Sequence, residues 1–159
     1  MKLKGSQEGF TLIETLVVIA LLGAIGGVMS MTIITIMNIS AQSNDHVIAL
    51  RQVQNAGHWI SRDTEMALTV VTTKPGVFLS IQWDDWGGSH YEVDYVFEGD
   101  KLKRQLNGSP GILIAQYIVE SDFDENPDID NQYKLTIKAC HGEVEVERTY
   151  EITPRPSLH

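Results

Sequence analysis

The chain carries an uncharged, mostly apolar run over residues 15–37. Its length exceeds the roughly 20 residues that a helix needs to cross the hydrocarbon core of a bilayer. Lys2 and Lys4 precede the run, whereas the first charged residues after it are Asp45 and Arg51. Because basic residues flanking a span are retained in the cytoplasm, the pattern predicts a membrane-spanning helix with its N-terminus inside the cell and the bulk of the chain outside.

Beyond this run, hydrophobic positions recur at spacings of three, four or seven residues, and no proline occurs before Pro75. This period is typical of an amphipathic helix. We therefore expect one helix from about Thr11 to Leu68, with Trp59 and Met66 in the core or at its edge. The positions that define the pattern are Val47, Leu50, Val53, Gly57, Ile60, Ala67 and Leu68.

From Thr69 the sequence changes to short runs in which apolar and polar residues alternate, a pattern that indicates half-buried strands. Turn-forming residues separate these runs, among them Asn107-Gly108 and His141-Gly142. The pattern predicts an α+β fold in which the long N-terminal helix packs on an antiparallel β-sheet built as a meander. The runs cover residues 77–83, 91–97, 101–106, 112–119, 133–139 and 144–150.

The charge and the cysteine content of the chain limit the kinds of binding and of cross-link that it can have. The chain has 21 acidic and 12 basic residues, a net charge of -9, which argues against direct nucleic-acid binding because phosphate affinity needs clustered lysine and arginine. Lys101, Lys103 and Arg104 form the densest basic group, and we expect them on the solvated face of a hairpin. The single Cys140 excludes an intrachain disulfide and a cysteine zinc cluster within one chain.

An acidic stretch after residue 121 places oxygen-bearing side chains on alternate residues, a pattern that suits hard cations such as calcium. An EF-hand loop would need glycine where Pro127 lies and a bidentate glutamate where Tyr133 lies, so that motif is absent. A calcium site of another kind and a plain solvated loop between two strands both remain open. The candidate ligands are Asp122, Asp124, Asn126, Asp128 and Asp130.

No catalytic constellation stands out in the sequence. The segment from Asp84 to His90 mixes carboxylates, an aromatic residue and a histidine, but its glycines favour an ordinary turn. His58, His90 and His141 have no partner at a recognisable ligand or triad spacing. No phosphate-cradling glycine loop is present. We therefore predict that the protein is not an enzyme.

Gly9-Phe10-Thr11-Leu12-Ile13-Glu14 resembles the prepilin processing motif of type IV pilins and type II secretion pseudopilins. The resemblance implies that a membrane peptidase cuts between Gly9 and Phe10 and that the new amine of Phe10 is methylated. It also implies that Glu14, a carboxylate at the start of an apolar segment, neutralises the N-terminal ammonium of a neighbouring subunit during assembly. Two charges desolvated together cost less than either alone. The alternative is a carboxylate that snorkels or is protonated at the membrane boundary.

The resemblance also implies a pilin-like fold, a domain plan and a set of partners. The partners are the prepilin peptidase and N-methyltransferase, other pilin or pseudopilin subunits, an inner-membrane assembly platform and membrane lipid. Residues 51–63 and 95–104 resemble minor pseudopilins of the J type. The expected divisions are a leader at 1–9, a membrane-spanning half-helix at 10–39, an amphipathic half-helix at 40–68, the β domain at 69–153 and a flexible tail at 154–159.

The predicted function is that of a structural subunit, of the minor class, in a type IV pilus-like or type II secretion filament. It would be a single-pass inner-membrane protein with an extracytoplasmic C-terminal domain before assembly, and part of a cell-surface or periplasmic filament afterwards. The alternative is a permanently membrane-anchored extracytoplasmic binding domain, calcium-dependent in one version, that never assembles.

Overall fold

The computed structural model describes residues 11–155 of the chain. Within this range, one helix precedes a series of strands. The helix is α1 (Leu12–Met66) and the strands are β1 (Thr69–Val71), β2 (Leu79–Asp84), β3 (His90–Glu98), β4 (Lys101–Leu106), β5 (Ile112–Ala115), β6 (Ile118–Glu125), β7 (Tyr133–His141) and β8 (Val144–Ile152). The α+β fold with a long N-terminal helix and antiparallel strands is therefore confirmed.

The chain divides into two compact units, Met1–Ala41 and Gln42–His159. In the described part of the first unit, α1 exposes its large apolar side chains on all sides, from Leu12 to Ile39. This part of α1 is long and apolar enough to cross a membrane. A helix that is apolar all round is stable in lipid or among other apolar helices, and not as a surface helix in water.

The strands of the second unit form two antiparallel sheets. The first sheet has the order β1-β2-β3-β4-β5 and the second the order β6-β7-β8, so sequential strands are neighbours within each sheet, as the predicted meander requires. The hairpin between β7 and β8 turns at Gly142, whose φ of 60° is a left-handed conformation that glycine adopts without steric cost. The predicted turn at His141-Gly142 is thus confirmed.

The second part of α1 buries one stripe of small and branched side chains against both sheets. This stripe consists of Ala49, Val53, Ala56 and Ile60, and it joins apolar residues from the strands in one continuous core. The strand residues of that core include Leu79, Ile81, Val93, Tyr95, Leu102, Ile114, Ile118, Phe123, Leu135, Ile137, Ala139, Val146 and Ile152. The spacing of apolar positions in the sequence therefore predicts the buried face of α1, although two of those positions, Val47 and Leu68, are exposed.

The structure corrects the strand predictions in two places. The run over residues 112–119 is not one strand, because it divides into β5 and β6, which belong to different sheets. Tyr117 has a φ of 63°, and the backbone N–H of Gln116 donates to Oε1 of Gln52 on α1, so the chain leaves the first sheet at this point. A single sheet was thus the wrong prediction. The short strand β1, which pairs with β2, was not predicted.

Gly57 allows β8 to approach α1 closely. A Cβ atom at this position would overlap the ring of Tyr150 on β8, whose hydroxyl donates to the carbonyl of Val53 at 3.3 Å. The glycine is buried in the middle of the helix, where it costs about 1 kcal/mol relative to alanine. Close packing against Tyr150 is the physical reason for a residue that helix propensity disfavours.

We predict that Gly57→Ala destabilises the protein despite the better helix propensity of alanine. Overpacking of a filled core costs about 1 to 3 kcal/mol, and the overlap with the Tyr150 ring places this site at the upper end, above the propensity gain of about 1 kcal/mol. The measurement is urea unfolding of the full chain in detergent micelles, followed by near-ultraviolet circular dichroism. Asn55→Ala, at an exposed position of the same helix, serves as the control and is expected to be neutral or slightly stabilising. Equal stability of Gly57→Ala and wild type would contradict the packing role.

Candidate functional site

The N-terminal site lies partly outside the described residues. Gly9 and Phe10 precede residue 11, so their predicted roles in cleavage and methylation stay predictions. Glu14 lies in the first turn of α1 and is exposed. Its position near the helix N-terminus is electrostatically favourable for a carboxylate, because the helix dipole places partial positive charge there.

Thr11 caps the N-terminus of α1. Its Oγ1 accepts a hydrogen bond from the backbone N–H of Glu14 at 3.4 Å, and its carbonyl accepts from the same N–H at 3.1 Å. Threonine followed three residues later by glutamate is the sequence of a capping box. Glu14 is therefore also placed to stabilise the start of the helix. The apolar pattern of the sequence did not suggest this local role. A test of Glu14 in assembly has to distinguish the assembly role from this capping role.

Within residues 11–155, the most buried charged group is Asp63 on α1, which is 1% exposed. Arg104 on β4 binds it with two nitrogens, Nε to Oδ2 at 2.6 Å and the terminal Nη2 to Oδ1 at 3.2 Å. The Tyr95 hydroxyl on β3 donates to Oδ2 at 2.6 Å. Burial, together with the charge of Asp63, raises the pKa of Tyr95 far above its usual range, so this phenol stays protonated as a donor.

This cluster corrects the expectation for Arg104. Its side chain is only 13% exposed, and its guanidinium lies 5.2 Å from the ring centroid of Trp59, so it belongs to the packing of α1 on the first sheet. Lys103 pairs with Glu98 at the surface, as a solvated hairpin face predicts. Trp59 is half-buried against the core, as predicted, whereas Met66 at the helix end is exposed.

A signal for the cluster existed in the sequence. Asp63 follows Ile60 by three positions on the apolar stripe of α1, so a charge at that spacing indicates a buried carboxylate in need of a partner. Its partner, Arg104, is 41 residues away, and only the fold brings the two together. The cluster fastens α1 to the first sheet, and we assign it no chemistry.

The acidic stretch is divided between a strand and a loop. Asp122 and Asp124 lie on β6 with their side chains on one face, and the charge of Asp122 raises the pKa of Asp124. Asn126 binds Gln132 and accepts from the backbone N–H of Asp128, so it organises the loop before β7. A surface pocket of about 380 Å³ is lined by Asp122, Asp124, Glu125, Asn126, Pro127, Lys134 and Thr136.

Of the five candidate calcium ligands, Asp122, Asp124 and Asn126 thus line the same pocket. Among residues 11–155, no three side chains of histidine, cysteine, aspartate or glutamate are grouped closely enough to hold a metal ion, so Asp128 and Asp130 do not complete a carboxylate cluster with the pair. Amide and backbone oxygens also bind calcium. Calcium binding therefore stays a prediction, based on two adjacent carboxylates.

The segment from Asp84 to His90 forms the turn that its composition indicates. Oδ1 of Asp85 accepts from the backbone N–H groups of Gly87 at 2.8 Å and Ser89 at 2.9 Å. Hydrogen bonds from Ser89 and Gly87 lower the pKa of the Asp85 carboxyl, so it remains ionised and holds the loop. Nδ1 of His90 lies 2.8 Å from Oδ1 of Asp84 across the hairpin. This arrangement shapes the turn and contains no activated nucleophile.

His141 and Asp45 connect the β7–β8 hairpin to α1. Nδ1 of His141 lies 3.0 Å from Oδ1 of Asp45, and the ring packs edge-on against Tyr117 at 4.7 Å between centroids. No spacing rule in the sequence pairs this histidine with Asp45, because the two are 96 residues apart. The pair is half-buried and lies beside the Gly142 turn, so its role is to hold the hairpin on the helix.

Comparison with protein families matches residues 4–30 of the chain to the prokaryotic N-terminal methylation motif. This motif is the signature of type IV pilins and pseudopilins, and the matched range includes Gly9, Phe10 and Glu14. The recognition made from the residues is therefore confirmed at the level of the motif. Searches of the curated proteins and of the solved structures gave no significant match.

Proposed function

We propose that this chain, which carries the N-terminal methylation motif of type IV pilins and pseudopilins, is a structural subunit of a filament. The single observation that carries the proposal is the motif at residues 4–30, which leads directly into an apolar helix. The filament is a type II secretion pseudopilus or a type IV pilus-like fibre, and the subunit is of the minor class. Mass spectrometry of the N-terminal peptide, which shows whether the mature chain begins at a methylated Phe10, tests the proposal.

In this proposal, the prepilin peptidase cleaves after Gly9 and the new amine of Phe10 is methylated. The first part of α1, from Leu12 to Ile39, stays in the inner membrane until assembly, because its all-round apolar surface is compatible with lipid. An assembly platform then transfers it into the filament, where apolar helices of neighbouring subunits replace lipid. Glu14 pairs with the N-terminal ammonium of a neighbouring subunit, so that neither charge is buried without a partner of opposite charge.

The second unit, Gln42–His159, is the part of the subunit that meets its surroundings. The likeness of residues 51–63 and 95–104 to minor pseudopilins of the J type supports a position among the minor subunits. The domain is extracytoplasmic before assembly and displayed on a periplasmic or cell-surface filament afterwards. The domain has a mechanical role and a role in recognition, and we assign it no enzymatic step.

The second candidate function is a membrane-anchored binding domain that uses calcium and does not assemble. The close pair Asp122 and Asp124 favours it, because their mutual repulsion raises the pKa of Asp124 and a divalent cation would relieve that repulsion. The pair lines the pocket that Asn126 also lines. Repulsion of this kind lowers stability once the pH exceeds the raised pKa of Asp124, and it fades as the pH falls through that value.

If calcium binds at this pair, millimolar calcium should raise the melting temperature of the full chain in micelles relative to a chelator. A ligand bound only by the native state adds about 2.7 kcal/mol at a concentration 100 times its Kd. Asp122→Asn/Asp124→Asn should abolish the rise and should itself be slightly more stable than wild type at pH 7 without calcium. Asp128→Asn, outside the pair, is the control. An unchanged melting temperature would eliminate the calcium version.

A further inference from the structure

Of the strands that the structure describes, β1, β5, β6 and β8 lie at the edge of a sheet. An edge strand presents unpaired backbone N–H and C=O groups to any incoming strand, and proteins limit such pairing with short or bulged edges. β1 and β5 have only 3 and 4 residues, and β6 has a bulge between Ile118 and Glu120. β8 has 9 residues, no proline and no shift in its register with β7, so it lacks these protective features.

The backbone of β8 faces β7 and the free side of the sheet in alternation. Cys140 on β7 pairs with Glu145, and the N–H of Cys140 donates to the carbonyl of Tyr117 at 2.9 Å, away from β8. In an antiparallel ladder, both residues of such a pair direct their backbone groups away from each other. The backbone groups that point to the free side of β8 are therefore those of Glu145, Glu147, Thr149 and Glu151. Within residues 11–155, they take part in no backbone hydrogen bond.

The same residues carry their side chains on the outer face of the sheet. The residues between them, such as Val146 in the core, point toward α1, and side chains alternate along a strand. All four outer side chains are exposed. Glu145 lies 3.4 Å from Nζ of Lys138, whereas Glu147 and Glu151 form no salt bridge within residues 11–155. The free edge thus has a row of carboxylates with a period of two residues.

This row makes the edge selective for charge. A short or bulged edge rejects every strand, whereas like charges directly opposite each other destabilise pairing and opposite charges favour it. A second copy of β8 is disfavoured, because antiparallel pairing about Val146 places Glu145 opposite Glu147, and pairing about Thr149 places Glu147 opposite Glu151. Pairing about either residue between these two also places glutamate opposite glutamate. A strand with basic residues at the same period has the complementary charge.

We infer that the free edge of β8 binds an extended segment of another protein that has lysine or arginine at alternate positions. The segment adds to the second sheet beside β8, its backbone pairs with the outward groups of β8, and its basic side chains contact Glu147 and Glu151. Strand addition of this kind obtains affinity from main-chain hydrogen bonds and specificity from alternate side chains. The inference goes beyond the proposed function and concerns the second unit alone, so it does not depend on filament assembly.

The test uses the full chain in detergent micelles and the synthetic peptide Thr-Lys-Val-Lys-Val-Lys-Thr. NMR measures the exchange with water of the outward amides, which are those of Glu145, Glu147, Thr149 and Glu151. Because these amides exchange only while the edge is free, a peptide concentration about ten times its Kd should slow their exchange about tenfold.

Two control peptides separate strand addition from attraction between charges. Thr-Glu-Val-Glu-Val-Glu-Thr reverses the charge and should leave the exchange of the outward amides unchanged. The lysine peptide with methyl groups on the backbone nitrogens of its lysines keeps the charge but loses the donors that face β8, because residues opposite each other share one face of the sheet. It should also leave the exchange unchanged.

Two variants of the chain change the edge in different ways. Thr149→Pro removes an outward N–H that is not part of the β7–β8 ladder, and Glu147→Lys reverses one charge. Each should weaken binding of the lysine peptide about fivefold or more. Glu98→Lys, the same charge change at an exposed site on the first sheet, should bind like wild type. Because Glu147 is exposed, Glu147→Lys should melt at the wild-type temperature and keeps the test valid if Thr149→Pro does not fold.

Several results would overturn the inference. One is no slowing of exchange at millimolar lysine peptide, and another is equal slowing by either control peptide. Binding without slowed exchange would mean that the peptide adsorbs to the acidic face without adding as a strand. Slowing that appears without peptide as the protein concentration rises would assign the edge to a second copy of the chain. None of these results bears on the processing of Phe10, so the filament function is tested separately.

Discussion

Glu14→Gln and Glu14→Ala are each expected to reduce recovery of the subunit in sheared filaments by at least about tenfold. An ammonium group that enters an apolar helix bundle without its carboxylate costs several kcal/mol, and about 1.4 kcal/mol corresponds to a factor of ten. Cleavage after Gly9 should continue in both variants. Quantitative immunoblotting of the filament and membrane fractions measures the loss.

The choice of glutamine separates charge pairing from helix capping. Glutamine serves in a capping box as glutamate does, so Glu14→Gln preserves the local interaction with Thr11 while it removes the charge. Thr11→Ala is the complementary control, because it removes the Oγ1 acceptor and retains the carboxylate. If Glu14→Gln assembles like wild type and only Glu14→Ala fails, the glutamate acts through the helix N-terminus and the assembly role is refuted.

The second large effect is expected at Asp63. Asp63→Ala should lower the free energy of unfolding by about 3 to 5 kcal/mol, because it leaves the buried guanidinium of Arg104 without its partner. The Tyr95 hydroxyl also loses its acceptor. Urea unfolding of the full chain in micelles, followed by near-ultraviolet circular dichroism, measures the change.

Two further variants show whether the ion pair itself or an unpaired charge determines this loss. Glu65→Ala, two residues away and exposed, should change stability by less than about 0.5 kcal/mol. Asp63→Leu/Arg104→Met removes both charges and should recover much of the stability lost in Asp63→Ala, since apolar residues of similar volume often replace a buried pair without cost. A loss below about 1 kcal/mol in Asp63→Ala would mean that Arg104 finds water or another partner.

The parts of the fold that the sequence predicts are those with local signals. The helix from Leu12 to Met66 follows from apolar content and period, and the β2, β3, β4, β7 and β8 strands follow from alternation bounded by turn residues. The division between β5 and β6 instead lies where the backbone N–H of Gln116 donates to the side chain of Gln52, 64 residues earlier. No local pattern reports such a contact, so a single strand was the natural prediction for this run.

The same distinction applies to the functional residues. Gly9, Phe10 and Glu14 belong to a contiguous motif, so the sequence alone is enough to predict roles for them, and these roles stay predictions. Contacts between residues remote in sequence leave no such local signal. The basic group at β4 suggested a solvated face, but the fold places Arg104 beside Asp63. Likewise, only the folded chain shows that β8 lies at the edge of its sheet.

The most direct test of the filament function is mass spectrometry of the N-terminal peptide from protein extracted from its native membrane. We predict a mature chain that begins with N-methylated Phe10, because the methylation motif covers residues 4–30. A chain that still begins at Met1, in a cell with an active prepilin peptidase, would contradict the proposed function and favour a permanently anchored domain.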